Sequence, residues 1–263
     1  MLDDVVISKA IIESYTEEIL DCLESDVIIC GAGPSGLCAA YFLAKEGYKV
    51  VLFERSLRPG GGMPGGGMMF NKIVIQEESK SLLDEWGITT TKYKDNYYVA
   101  SSLETLGVLL GQTIKQGAHI FNCISAEDVL IYDNKVRGVV INWTATEIAK
   151  LHVDPLTVRS SLVVDATGHA AEIARVVHRK SGCKLLTSTG DIIGEKPMWA
   201  EEGEAILVKN TKEIFPNLYV CGMAANAVFG GPRMGPIFGG MFLSGQKVAR
   251  LISERLKIPK KSI

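Results

Sequence analysis

The sequence lacks an excess of charge of either sign. Its 28 Lys and Arg stand against 30 Asp and Glu, for a formal net charge of −2. That balance offers no electrostatic footprint for nucleic acid. Long apolar runs are missing as well. No stretch reaches the ~18 consecutive apolar residues of a membrane span, so neither nucleic acid nor membrane is an expected partner. The first residues carry Asp3 and Asp4 and no basic cluster, so a secretory signal is not expected. There is no internal repeat and no low-complexity tail. Cysteine is present without a pattern. None of Cys22, Cys30, Cys38, Cys123, Cys183 and Cys221 forms Cys-x-x-Cys, which removes the dithiol of the disulfide reductases and the usual zinc knuckle. Several lie in apolar runs and read as buried thiols of a protein in a reducing cytoplasm.

The chain has 263 residues, 47% of them hydrophobic and 22% charged. These are the values of a globular protein, with enough chain for one large α/β domain. We take 1–263 as that domain. Its first 24 residues include an amphipathic helix over Val6 to Leu23, with Ile7, Ile11, Ile12, Tyr15, Ile19 and Leu23 near helical period. That face must be covered by the sheet or by a neighbouring subunit, and an oligomer contact is the expectation.

The most informative stretch runs from Asp26 to Gly36. The apolar run Val27-Ile28-Ile29-Cys30 ends in Gly31-Ala32-Gly33-Pro34-Ser35-Gly36. A helix-like segment follows, then Val50-Val51-Leu52-Phe53 and the acid Glu54, 18 residues past Gly36. Gly31 suits a tight turn, Gly33 lets backbone approach a pyrophosphate, and Gly36 lets helix pack on strand. The helix N-terminus offers unpaired N–H groups to phosphates. Glu54 is placed to accept from ribose hydroxyls. Strand, helix, second strand and acid in register make this a dinucleotide site.

Further on, Arg58 to Met69 is a loop with six glycines in the eight residues Gly60–Gly67. It cannot hold a helix, and it can either press backbone against a ligand or serve as a connector. Ser79–Trp86 and Leu103–Gln116 read as helices, and Tyr97–Ser101 as extended chain. His119–Cys123 and Ala126–Tyr132 read as strands, with Lys135–Trp143 pairing back after the Asp133-Asn134 turn. Ser161–Gly168 and Leu218–Gly222 read as buried strands ending in turns, and Gly239–Leu256 as the final helix. Alternating strands and helices imply a mostly parallel sheet with covered faces.

Some residues carry chemistry. His152 and Asp154 stand two apart, and on extended chain their side chains point the same way. Such a pair suits a borderline divalent metal or proton transfer. His169 follows the strand end Ala166-Thr167-Gly168, a usual place for ligand contacts in α/β sheets. His119, at a strand start, and His178, in a basic segment with Arg175, Arg179 and Lys180, read as structural. Arg233 lies in a loop stiffened by glycine and proline, and its guanidinium matches a carboxylate with two parallel hydrogen bonds.

The glycine fingerprint with Glu54, the Ala166-Thr167-Gly168 strand end and the late strand Leu218-Tyr219-Val220-Cys221-Gly222 together resemble the glutathione-reductase-like two-dinucleotide-binding superfamily. There the late strand usually ends in Gly-Asp, whose aspartate holds a flavin. Here Met223 follows Gly222, so the scaffold is expected to hold an ADP-containing ligand without running flavin chemistry. The chain also resembles the thiamine thiazole synthases in their archaeal form, from Ser25 to Ser253. The resemblance rests on the fingerprint, the Gly60–Gly67 loop, His152-Val153-Asp154-Pro155, Thr167-Gly168-His169 and Gly230-Gly231-Pro232-Arg233-Met234-Gly235-Pro236.

The resemblance implies a Rossmann-type α/β fold with a mostly parallel central sheet and a small antiparallel one. It implies an enzyme that consumes NAD and glycine to form an ADP-linked thiazole carboxylate, with Asp154 and His169 binding Fe(II) across a subunit boundary in a homo-octamer. Fungal and plant members carry, at the position of His152, a cysteine that donates its own sulfur. The histidine here implies free sulfide and multiple turnovers. By the same resemblance NAD lies against Gly31, Gly33, Ser35, Gly36, Glu54, Arg55, Gly62, Ala126, His152, Val153, Asp154 and Met223. Ala126 stands where many relatives have valine and serves through its backbone. Arg233 binds the glycine carboxylate, and His152 and Asp154 move protons. The other readings are an FAD-dependent oxidoreductase, a ribose 1,5-bisphosphate isomerase and a non-catalytic nucleotide sensor.

Overall fold

The structure is a computed structural model that describes residues 1–257. The fingerprint strand β1 (Glu24–Cys30) is flanked by two parallel neighbours, β2 (Val50–Glu54) and β9 (Leu156–Asp165). The sheet continues in parallel through β6 (His119–Asn122) beyond β2, and through β11 (Leu218–Val220) beyond β9. The strand β10 (Lys212–Phe215) closes one edge antiparallel. The order is β10-β11-β9-β1-β2-β6. Val27 to Cys30 and the whole of β2 are buried, as continuous apolar strands covered on both faces must be.

The remaining strands explain a misjudged boundary. Ser161 is expected to open a strand, yet β9 begins at Leu156. Its first four residues pair antiparallel with β8 (Lys135–Trp143), which pairs with β7 (Ile124–Tyr132). At Arg159 the neighbours of β9 are Glu24 and Gly138, and at Val163 they are Ile28 and Leu218. One edge of a long strand thus serves two partners in turn. The polar Thr157-Val158-Arg159 stretch conceals this, because its ladder is half exposed. The expected β7–β8 hairpin is present, and both Asp133 and Asn134 take positive φ, at 53° and 55°, as a two-residue turn matched to strand twist requires.

A separate three-stranded antiparallel sheet has the order β3-β5-β4, from Lys72–Ile75, Tyr97–Ser101 and Thr90–Lys94. The fold is therefore α/β, with a mostly parallel central sheet and a small antiparallel one.

Helix α1 spans Asp4–Asp21, two residues earlier than its apolar pattern predicts, because Asp3 caps it by accepting from Val5 and Val6. No residue of α1 is buried. Tyr15 meets Phe121 edge-on at 5.8 Å and stacks on Trp143 at 6.1 Å. Ile7, Ile11 and Ile12 stay exposed. The other helices are α2 (Pro34–Lys45), α3 (Glu77–Trp86), α4 (Ser102–Lys115), α5 (Thr144–Ile148), α6 (Glu172–Ser181), α7 (Ala200–Asn210), α8 (Met223–Phe229) and α9 (Gly239–Lys257). Among the described residues no helix is long and apolar enough to cross a membrane.

α2 is buried along most of its length and packs on α9 and α4. The crossing with α9 is tight. A Cβ at Gly245 would lie 2.5 Å from the carbonyl oxygen of Ser35 and 2.7 Å from Cys38 Cβ. Gly245→Ala must push α9 off the helix that carries the fingerprint, and overpacking of this kind costs about 1–3 kcal/mol. Its denaturant midpoint should fall accordingly at unchanged slope in chemical unfolding followed by circular dichroism.

Candidate functional site

A cavity of about 1400 Å³ opens at the carboxyl ends of β1, β2 and β9, where α/β sheets bind ligands. The fingerprint glycines divide their work as the sequence implies. A Cβ on Gly31, at φ 102°, would sit 2.5 Å from the Ala166 carbonyl oxygen, and one on Gly36 would sit 2.1 Å from Gly31 O. Gly33 faces nothing within 4 Å and lines the cavity. It is also the N-cap of α2, with no side chain capping that end. The first amides of α2 have no intrahelical partner and point, with the positive end of the dipole, to where a phosphate fits.

Glu54 has a structural task that the sequence reading does not give it. It is buried, its Oε2 accepts from Ala32 N at 2.9 Å, and its Oε1 accepts from Ser56 N at 2.8 Å. The carboxylate braces the fingerprint turn, and each oxygen keeps a second lone pair for a hydroxyl. Arg55 and Glu172 both line the cavity and pair at 2.5 Å. Burial raises the pKa of Glu172, and Arg55 opposes the shift.

The glycine-dense loop is folded down rather than a loose connector. Gly60 N donates to Ala32 O at 2.8 Å, Ser102 Oγ donates to Pro64 O at 3.1 Å, and Met63 is fully buried. Gly61, Gly62, Gly66 and Gly67 present backbone to the cavity. Ser35, Ala126, Met223, His169 and Arg233 also line it. α8 opens on Met223 straight after Gly222, whose φ is 60°.

Two residues the sequence reading missed organise the far wall. Asp165, fully buried, accepts from Thr167 N and Oγ1 at 3.0 and 2.6 Å and from Ala174 N at 2.9 Å. It thereby ties the Ala166-Thr167-Gly168 turn to the start of α6. Burial raises its pKa, and these hydrogen bonds oppose the shift. Glu195 accepts from His169 Nδ1 at 2.7 Å. An acid closing an apolar strand before Ala-Thr-Gly was a signal for the first. The second pairing spans 26 residues and has no local signature.

His152, Val153 and Asp154 do not line this cavity, and all three are exposed. They lie before the ladder of β9, which starts at Leu156, so no strand aligns their side chains. Asn142 Nδ2 donates to Val153 O at 3.1 Å. Leu151, Val153, Leu156, Trp143 and Ile148 leave an apolar surface around them. One copy of the chain therefore brings His169 and Arg233 together with the fingerprint and leaves His152 and Asp154 facing outward.

His169 and Asp154 supply the N and O donors that suit Fe(II). With Nδ1 held by Glu195, His169 keeps Nε2 for a metal. The donor set fits the group, on condition that a second copy brings its Asp154 to the cavity. Among the described residues the one group of three metal-type donors within 4.8 Å is Asp21, Cys22 and His119, away from the cavity. There Lys49 Nζ sits 2.8 Å from Asp21 Oδ2, and Glu18 holds His119 Nδ1 at 2.9 Å. Those contacts fit the structural role expected of His119. His178 likewise pairs with Asp191 at 2.9 Å.

The comparisons agree with this geometry. The model of the Thi4 family matches residues 8–238. The chain is 57% identical to the thiamine thiazole synthase of Methanothermobacter thermautotrophicus, over 97% of this chain and 99% of that one. It is 52% identical to that of Pyrococcus horikoshii, over 98% and 100%. Thermovibrio ammonificans THI4 superposes with a TM-score of 0.94 at 49% identity, covering 97% of this chain and 98% of that one.

The two kinds of fingerprint glycine should separate experimentally. Gly33→Val should keep the wild-type melting temperature and weaken NAD binding at least about tenfold, about 1.4 kcal/mol. Gly36→Ala should lower the melting temperature itself. Differential scanning fluorimetry with and without NAD reads both.

Proposed function

The chain belongs to the Thi4 family, and on that premise we propose that it builds the thiazole of thiamine from NAD, glycine and free sulfide, with Fe(II) as its metal. The product is an ADP-linked 5-(2-hydroxyethyl)-4-methylthiazole-2-carboxylate, and nicotinamide is released. The observation that carries this reading is Arg233. Its side chain is exposed, takes part in no hydrogen bond or ion pair among the described residues, and lines the same cavity as the dinucleotide fingerprint. The guanidinium, exposed at the cavity, suits a carboxylate or a phosphate, and the carboxylate among the proposed substrates is glycine's.

NAD lies along α2 with its pyrophosphate at Gly33 and Ser35, its adenosine ribose at Glu54 and Arg55, and its adenine at Ala126. Loss of nicotinamide leaves an ADP-ribose that opens and isomerises to a ketone. Glycine, held by Arg233, condenses with it as an imine. The imine isomerises so that its double bond lies on the glycine α-carbon. Sulfide replaces the oxygen of the neighbouring carbonyl carbon, and its sulfur then bonds to that α-carbon. Further losses of water leave the aromatic ring. His152 and Asp154 of a partner subunit move the protons. Fe(II), held by His169 and the partner subunit's Asp154, supplies a Lewis-acidic centre for sulfide when bound.

The cysteines support an external sulfur source. Cys30 lines the cavity but is 1% exposed, and burial holds its thiol well above the usual range. Burial also pushes Cys22 up to about 11 and Cys221 up to about 12. Thiols protonated at neutral pH are poor nucleophiles, which favours a free sulfur donor over these buried cysteines. The outward-facing His152–Asp154 segment and the bare face of α1 support assembly into a homo-oligomer, an octamer on the family resemblance.

Anaerobic protein with NAD, glycine, sulfide and Fe(II) should yield the ADP-thiazole by mass spectrometry. ADP-ribose alone, or a bound flavin with its yellow spectrum, would defeat the reading. Arg233→Ala should raise the KM for glycine about 100-fold, the scale of a lost charged hydrogen-bond pair, while nicotinamide release persists.

The shared site makes a separate prediction. Asp154→Asn and His169→Gln should each abolish product formation, and reassembling the two variants together should restore part of it. A mixture as inactive as its components would show that both residues serve the same copy's site.

A further inference from the structure

Among the described residues His169 is the one histidine in the cavity wall, and it is half exposed on a single 3-10 turn, Gly168–Ala170. A side chain so placed has a free ring flip and two tautomers unless something fixes it. Glu195 is that something. Its carboxylate accepts from Nδ1 at 2.7 Å, and its side chain is 21% exposed against 51% for His169. Its backbone is pinned on both sides. Ile193 N and Gly194 N donate to Val228 O and Ala227 O of α8, at 3.0 and 2.9 Å. Beyond it Lys196 N donates to Gly231 O at 3.0 Å, and Arg233 N returns a bond to Lys196 O at 3.2 Å. Trp199 N then donates to Arg233 O at 2.9 Å. The segment that carries the acid is thus laddered onto the loop that carries Arg233.

We propose that Glu195 is a positioning residue, which fixes His169 as the Nδ1–H tautomer and presents Nε2 to the cavity in a set relation to Arg233. Three facts distinguish this from an incidental surface pair. The acid is mostly covered, its backbone is bonded on either side, and its partner lies at the strand end where the site is built. A carboxylate behind a ligating imidazole is the usual way to fix the tautomer and raise the ring's basicity toward a metal. The ladder adds a consequence. The acid that holds the His169 ring and the backbone that carries Arg233 are joined by one short run of hydrogen bonds, which ties the two sides of the cavity together. The metal part rests on the reading of the previous subsection, and the tautomer part does not.

The test is nitrogen-15 NMR of histidine-labelled full-length protein, at a pH where imidazoles are neutral. The His169 signals are assigned by their loss in His169→Gln. The wild-type ring should be protonated at Nδ1. Glu195→Ala should relax toward the Nε2–H form that unconstrained histidine favours, and Glu195→Gln, whose amide oxygen still accepts, should keep Nδ1–H. Co(II) binding that depends on His169 should weaken about 10–100-fold in Glu195→Ala and largely recover in Glu195→Gln. A wild-type ring protonated at Nε2 overturns the proposal, and decides the matter alone if Glu195→Ala does not fold. An unchanged tautomer in a folded Glu195→Ala overturns it as well. If the tautomer responds but wild-type protein binds no Co(II) through His169, the positioning stands and the metal assignment fails.

Discussion

The close approach of Gly31 to the Ala166 carbonyl is the constraint from which the site follows. β1 and β9 run parallel and finish side by side, at Cys30 and Asp165. Their continuing chains must then diverge within a residue or two. Gly31 turns at φ 102°, with no room for a Cβ against Ala166. Gly36 in turn lets α2 rest on Gly31. With those two contacts made, Gly33 is left at the mouth of the cleft, and the α2 amides face the space between the strands. Glu54 locks the arrangement from the β2 side by holding Ala32 and Ser56. Asp165 locks it from the β9 side by holding Thr167 and Ala174. Two buried carboxylates, each with backbone amides on both oxygens, flank the cleft. A buried acid that accepted fewer bonds would be a cost to the fold; here each is consumed in shaping a turn.

Much of this was legible in the sequence because it is local. The fingerprint packs strand, turn and helix into eleven residues from Asp26 to Gly36, and each glycine's task follows from its place. The Asp133-Asn134 hairpin was legible for the same reason, since two residues able to take positive φ stand between alternating runs. What escaped reading depends on long-range partners. β9 was cut short because its first half is stabilised by β8, and no periodicity in Thr157-Val158-Arg159 announces that. Helices α7 and α8 and strand β10 carry short or mixed patterns that only the neighbouring elements resolve. Glu195 was invisible because a hydrogen bond to a residue 26 positions away leaves no trace in spacing. For His152, Asp154, His169 and Arg233, spacing left several kinds of chemistry open, and the roles proposed for them come from the family resemblance.

The late strand ends in a turn as constrained as the fingerprint. β11 delivers the chain to Gly222, whose amide donates to Ser244 Oγ at 2.8 Å. A Cβ on Gly222 would meet Ser35 Oγ at 2.2 Å. The turn is therefore as tight as the fingerprint it faces, and the next side chain is delivered to the cavity whatever it is. Here it is Met223, 6% exposed, a polarizable apolar group with no acceptor for hydroxyls or a flavin ring. The turn is tight, and the position where the superfamily resemblance implies a flavin-holding aspartate carries an apolar side chain.

One copy of the chain holds the dinucleotide cradle, Arg233 and the Glu195-braced His169, while the His152–Asp154 segment faces away. On the proposed reading this separation has a physical rationale. A cavity that releases nicotinamide and carries a reactive keto-sugar must not also hold sulfide and metal before assembly is complete, or the sugar is lost to side reactions with water and free amines. Placing half of the donor set on the outer surface makes competence conditional on a neighbour. The apolar residues around it, Trp143, Ile148, Leu151, Val153 and Leu156, provide the non-specific attraction that brings such a neighbour. The Tyr15–Trp143 stacking ties that surface to α1, whose Ile7, Ile11 and Ile12 are bare. Assembly surface and donor segment are then one continuous feature. On the proposed reading, burying that surface against a second copy would also bring the His152–Asp154 segment to the neighbour's cavity.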